Sequence, residues 1–256
     1  MTIITDPQFY LLAVPVVLMI GISKGGFSGA LGIVAVPLLT LILSPIQAAA
    51  IILPILCVMD ILGLIAYRRT CDWRNLTYLL PGAIVGITAG YFLFNYLSAD
   101  IIKLILGLLC VAFTLNHYIR KVPEGRVTKA SLQKGSFWGS IAGFTSFVAH
   151  AGGPPLQFYM LPQKLDKTLY VGTSVWFFFA VNYVKLVPYA LLGQFSSENL
   201  GTSLILLPLA PVGIWLGVRA HKLIPEAIFY RIAYMLVLLT GAKLLWDGIN
   251  GLGLLF

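Results

Sequence analysis

The chain has 256 residues, of which 59% are hydrophobic and only 10% charged, and its mean hydropathy is +0.93. Soluble domains carry about 25% charged residues, so this composition excludes an ordinary water-soluble enzyme and points to an integral membrane protein. A net charge of +8 would suggest nucleic acid for a soluble protein, but here the basic residues sit in short loops between apolar runs, where they report topology.

The first residues contain Asp6 and no basic segment, so no cleavable signal peptide is expected. A spanning helix needs about 20 apolar residues. The first apolar stretch, 8–43, is longer than that and is interrupted by Ser23-Lys24-Gly25-Gly26. Glycine clusters punctuate helices, which predicts a helical hairpin or broken helix. Single spans are predicted at 46–67, 76–97 and 100–118. The longest polar loop, RKVPEGRVTKASLQK from Arg120 to Lys134, divides the chain into a first repeat (1–119), a linker (120–134) and a second repeat (135–256). Stretch 135–163 is again interrupted, by Ala151-Gly152-Gly153-Pro154-Pro155, and spans at 168–192, 199–218 and 224–246 follow. No loop is large enough for a soluble catalytic or nucleotide-binding domain. Cys57, Cys71 and Cys110 form no disulfide framework and no metal-ligand spacing.

The halves resemble each other. A shift of 117 lays Gly26-Phe27-Ser28 on Gly143-Phe144-Thr145, one of 122 lays Asp60 on Asn182 and Tyr67 on Tyr189, and one of 127 lays Leu80-Pro81 on Leu207-Pro208. Anchors in the same order, with similar helix lengths, predict a duplication. Basic residues then orient it. With 68–75 cytoplasmic and 135–163 entering and leaving on one side, thirteen of the seventeen Lys and Arg residues lie inside. Equivalent loops fall on opposite faces, so the fold class expected is an all-α polytopic membrane protein of two inverted repeats. Each repeat is a broken or re-entrant hairpin plus three transmembrane helices, with both termini external. Inverted repeats with broken helices are the plan of many secondary transporters, whose site lies at the repeat interface near the midplane.

Irregular backbone at membrane depth survives where protein or a water-filled cavity satisfies its polar groups. The breaks therefore nominate Lys24, Gly25 and Ser28, and Thr145, His150, Gly152, Gly153 and Gln157, as substrate-binding residues. The glycines have an alternative role in close helix packing. Lys24 is either functional or snorkelling to the interface. Asp60 lies about 10 Å from its span end, too deep to snorkel, and is a proton carrier or one half of an ion pair with Lys24 or Lys185. Asn182 and Lys185, three residues apart on one helix face, are further substrate-binding candidates, Lys185 as a substrate or counter-ion contact or else snorkelling. His150 is a ligand or proton carrier, or a structural imidazole; His117 and His221 are placed at the interface. Lys24 and Lys185 against Asp60 leave a net positive interior, which favours an anion. Gly82, Gly86 and Gly90, echoed by Gly213 and Gly217, form a small-residue packing stripe. Trp176, Phe177, Phe178 and Phe179 read as packing or lipid contacts.

GFSGALGIVAVPLL (Gly26 to Leu39), GFTSFVAHAGGPPL (Gly143 to Leu156) and NYVKLVPYALLGQF (Asn182 to Phe195) resemble the sulfite exporter TauE/SafE family of membrane transporters. The resemblance covers essentially the whole chain. It implies movement of sulfite, sulfonates or related carboxylates across a bacterial inner membrane. Two departures stand out: the run before the first proline is Gly32-Ile33-Val34-Ala35-Val36, poor in glycine, and His150 adds a polar group to the second. The expected function is a secondary transporter of small anions, optionally proton-coupled, with an anion channel or a membrane subunit of a larger complex as alternatives. No enzyme activity, cofactor, metal or nucleic-acid partner is expected. The partners are a small anionic substrate, the lipid bilayer and, as an open option, a second copy in a homodimer.

Overall fold

The computed structural model describes residues 3–29, 38–39, 42–94, 96, 98, 100–101, 103–104, 107–108, 110–111, 114–115 and 127–253. Residues 30–37, 40 and 41 in the second arm of the first hairpin, His117 and residues 120–126 of the predicted linker lie outside the described residues, as does part of the 100–118 span. The described chain is helical: α1 (Pro7–Gly26), α2 (Pro45–Tyr67), α3 (Trp73–Leu93), α4 (Leu132–Ala149), the short α5 (Gly153–Met160) with a 3-10 turn Leu161–Gln163, α6 (Lys167–Leu191), α7 (Ser197–Leu206), α8 (Leu209–Leu223) and α9 (Glu226–Gly251). Among them α1, α2, α3 and α6 are long and apolar enough to cross a membrane, and α7 with α8 passes the same test as one bent pair. The fold is therefore an all-helical membrane protein.

Local chemistry sets the helix ends. Ser44 caps α2 by accepting from Gln47 N, and Asp166 caps α6 by accepting from Thr168 N and Leu169 N, each satisfying donors that the first turn leaves free. These two caps are 122 residues apart, as are Tyr67 and Tyr189 near the other ends of the same helices. α2 and α6 thus share their cap and end-tyrosine positions in a 122-residue register. They run antiparallel: Asp60 meets Asn182, Gly63 faces Val175, and Gly172 faces Thr70.

Glycines allow the remaining contacts. A methyl group on Gly21 would stand 2.7 Å from Gly213 Cα, and one on Gly25 would stand 2.6 Å from Ile214 O, so α1 and α8 touch through their backbones in parallel. α3 and α4 do the same through the predicted stripe, Gly82 against Ser136, Gly86 against Ser140 and Phe144, Gly90 against Phe147. The first helix of each half therefore packs on a later helix of the other half. The two halves are interlocked, not side by side.

Two expectations need correction. Ser23 to Gly26 do not interrupt α1: they form its last turn, and the chain leaves the helix at Phe27–Gly29. The glycines there serve the approach of α8. The predicted 199–218 span is two helices bent by 46° at Leu207-Pro208, where proline removes a backbone donor and crowds the preceding turn.

Hydrogen bonds gather the polar segments at one end. Asp72 N donates to Thr173 Oγ1 (2.8 Å), Asn75 Nδ2 to Gln163 Oε1 (2.9 Å), Thr128 N to Pro162 O (3.1 Å), and Lys167 Nζ to His221 O and Ile224 O (3.0 and 2.6 Å). That end carries Arg68, Arg69, Arg74, Lys129, Lys164, Lys167 and Lys222. His221 lies at that end, buried and edge-on to the Tyr67 ring.

Candidate functional site

The two helix ends inside the bundle are built alike. α1 finishes with Gly29 N donating to Ser23 O, and α4 with Ala151 N donating to Thr145 O, both at 3.1 Å. Ser28 (φ 57°) and His150 (φ 52°) each take the left-handed conformation that turns the chain out of the helix. Carbonyls in a last turn lack helical partners, and a tyrosine supplies one in each half: Tyr67 Oη donates to Gly25 O and Tyr189 Oη to Phe147 O, both at 2.7 Å. All these pairs are related by 122 residues. The register at the breaks is therefore 122 and not 117, and Ser28 corresponds to His150, not to Thr145.

Between these ends lies a pocket lined by Ile20, Lys24, Gly29, Ile52, Leu56, Ser146, His150, Gly153, Phe178 and Asn182. Its polar groups come from both halves. Lys24 is 7% exposed and does not snorkel: its Nζ lies 2.5 Å from Asp60 Oδ1, and it faces the Phe178 ring at 5.5 Å. Asn182 Nδ2 donates to the other carboxylate oxygen at 2.7 Å. Asp60 is thus held on both oxygens. Removing one partner of such a buried pair costs ~3–5 kcal/mol, because the other charge is stranded.

Lys185 is fully buried and spends all three ammonium protons, on Ser146 O (2.9 Å), Ser146 Oγ (3.0 Å) and His150 Nδ1 (2.8 Å). An ammonium only donates, so Nδ1 of His150 accepts. The ring proton then sits on Nε2, which donates to Ala49 O at 3.0 Å. With Lys185 protonated, two ammonium groups and one carboxylate leave the pocket region with a surplus positive charge.

The other nominated residues divide. Ser28 and Ser174 share a very short hydroxyl contact. Gly153 lines the pocket, whereas Gly25 and Gly152 are places of close backbone packing. The Thr145 hydroxyl is committed to Ile141 O, Ala142 O and Ala151 O inside its own hairpin. Gln157 is buried one turn beyond Gly153, and neither of its amide atoms has a partner. Sequence reading passed over Ile20, Ile52 and Leu56, which carried no polar or glycine signal, and Ser174, a single hydroxyl in an apolar span; it undervalued Tyr67 and Tyr189 as register marks alone. In the aromatic run it is Phe178 that reaches the pocket.

The sulfite exporter TauE/SafE family model matches residues 13–244, which includes every pocket residue. The chain belongs to the sulfite exporter TauE/SafE family. Comparison with curated proteins and with solved structures returned no match. As a TauE/SafE protein it is a multi-pass membrane transporter of a small anion, sulfite being the anion for which the family is named. The surplus positive charge beside the TauE/SafE pocket agrees with such a cargo.

Proposed function

We propose that this protein is a proton-coupled secondary carrier of small oxoanions or carboxylates, with sulfite and sulfonates first among them. The observation that carries this reading is the pair of buried lysines, Lys24 and Lys185, beside a pocket with the single carboxylate of Asp60. Burying unbalanced charge is costly, and an anion is the ligand that offsets it. The pocket sits where the antiparallel helices α2 and α6 meet the two helix ends, so rocking of one half against the other exposes it first to one side and then to the other. The halves are inverted across the bacterial inner membrane. The basic end faces the cytoplasm by the positive-inside rule, and both termini lie outside.

The test is reconstitution of the purified chain in liposomes without ATP, with sulfite, methanesulfonate and acetate as cargo. Saturable flux with counterflow of labelled anion is expected. Flux without counterflow means a channel, and no flux without added subunits means a part of a larger complex. If no anion binds or moves while a cation does, the reading fails.

A further inference from the structure

We propose that the Asp60 carboxylate is a tethered competitor of the substrate: it occupies, on Lys24 and Asn182, the subsite that a small oxoanion takes, and gives it up on protonation. This rests on the reading of the pocket as an anion-transport site. The two donors grip one carboxylate oxygen each, Lys24 Nζ at 2.5 Å and Asn182 Nδ2 at 2.7 Å. A sulfonate, sulfite or carboxylate presents the same pair of oxygens. Lys24 and Asn182 both line the pocket, while Asp60 stands behind them, 1% exposed. An entering anion thus meets donors already engaged.

Like charges sharing a buried site cannot both stay ionised cheaply, so substrate and ionised Asp60 exclude each other. Protonating Asp60 without an anion is equally unfavourable, since it strands the Lys24 ammonium. Proton and anion therefore bind together, and each raises the affinity of the other by the same factor. The surroundings of Asp60 leave Lys24 as the contested cation. Lys185 on α6 acts at longer range and is committed to Ser146 and His150. Tyr183 on α6 and Cys57 on α2 also face Asp60 electrostatically but bring no positive charge. Among the described residues, α7 and α8, which also pack on α2, place no titratable group against it. For a monovalent anion the cycle is electroneutral: one carboxylate becomes a carboxylic acid for each anion bound.

Methanesulfonate suits the test because it carries no proton of its own near neutral pH. Its binding to the detergent-solubilised protein is followed by calorimetry in buffers of different ionisation enthalpy. Uptake approaching one proton per bound anion is expected, with affinity falling about tenfold per pH unit where Asp60 is ionised. Asp60→Asn, checked for monodispersity, is expected to bind with no proton uptake and a pH-independent affinity. Wild-type binding without uptake overturns the proposal, as does uptake that persists in Asp60→Asn or a folded Asp60→Asn that no longer binds. Should that variant not fold, infrared difference spectra of the wild type decide: a carboxylic-acid C=O band that appears on methanesulfonate binding supports the proposal, and uptake without such a band overturns it. Failure of methanesulfonate, sulfite and acetate alike to bind the wild type is a different result, which sinks the transport reading itself.

Discussion

Asp60 and Asn182 occupy the same register position in the two halves and hydrogen-bond to each other, Asn182 Nδ2 to Asp60 Oδ2 at 2.7 Å. Their contact puts the pocket where α2 and α6 meet. The register does not extend to the charges. In the 122-residue register, Lys24 corresponds to Ser146, Ser28 to His150 and Lys185 to Gly63. A symmetric scaffold thus holds an asymmetric set of charges.

The tyrosine caps give a direct check on that scaffold. Tyr67→Phe and Tyr189→Phe each remove one hydroxyl from a buried last-turn carbonyl, of Gly25 and of Phe147. Each is expected to cost about 1–2 kcal/mol, since an abandoned buried acceptor loses its partner, and the two losses should be alike and additive. Unfolding of the single and double variants in lipid or detergent measures both points. A loss in one variant alone would show that the two helix ends are not equivalent.

The interlocking glycines should tolerate no side chain. Alanine at Gly21 or Gly86 would place a methyl group 2.7 Å from Gly213 Cα or from Phe144 N, and overpacking of this kind costs ~1–3 kcal/mol. Lower thermal stability and yield are expected for Gly21→Ala and Gly86→Ala. Gly193→Ala is a control for space alone, since nothing lies within 4 Å there, although its φ of 67° adds backbone strain. Equal stability of Gly21→Ala and wild type would contradict the close approach of α1 and α8.

Much of this was legible in the sequence, and what was not has physical reasons. The span at 46–67 is observed as Pro45–Tyr67, because an apolar run between a capping serine and two arginines has few alternatives. Asn182 and Lys185 were placed on one face by their spacing, and the structure brings both to the pocket region. The first break was misplaced by a few residues because Gly25 and Gly26 look like punctuation. Their role depends on α8, a neighbour that no local pattern reveals. The residues that turn the chain, Ser28 and His150, are not glycines, so matching glycine letters gave a register of 117 where hydrogen bonds give 122. Likewise Leu80-Pro81 and Leu207-Pro208 are the same letters, yet α3 continues through its proline while α7 and α8 part at theirs.

Gln157 offers a separation of stability from function. It is 1% exposed and leaves both amide atoms unpartnered, a state that costs about 1–3 kcal/mol. It lies four residues beyond Gly153, hence on the same face of α5, between the pocket and the basic end. Gln157→Met keeps the volume and removes the unpaired groups. A higher melting temperature together with anion flux reduced several-fold is expected. A stabilised variant with wild-type flux would reduce Gln157 to a packing residue.

Lys185 supplies the most demanding prediction. Its ammonium is held by three acceptors arranged around one point, Ser146 O, Ser146 Oγ and His150 Nδ1. Lys185→Ala strands those acceptors and removes a positive charge from the pocket region, so flux should fall by at least about tenfold, equivalent to ~1.4 kcal/mol, with the protein still folded. Lys185→Arg keeps the charge but not the shape: a planar guanidinium cannot aim three protons into a cup built for a tetrahedral ammonium. Charge alone would let arginine restore flux; geometry would not, and no rescue is expected. Proteoliposome uptake of sulfite by the two variants and the wild type, with folding checked by monodispersity, separates these outcomes. Wild-type rates in Lys185→Ala would make the lysine scaffolding and leave Lys24, among the described residues, as the one buried cation supporting the anion reading.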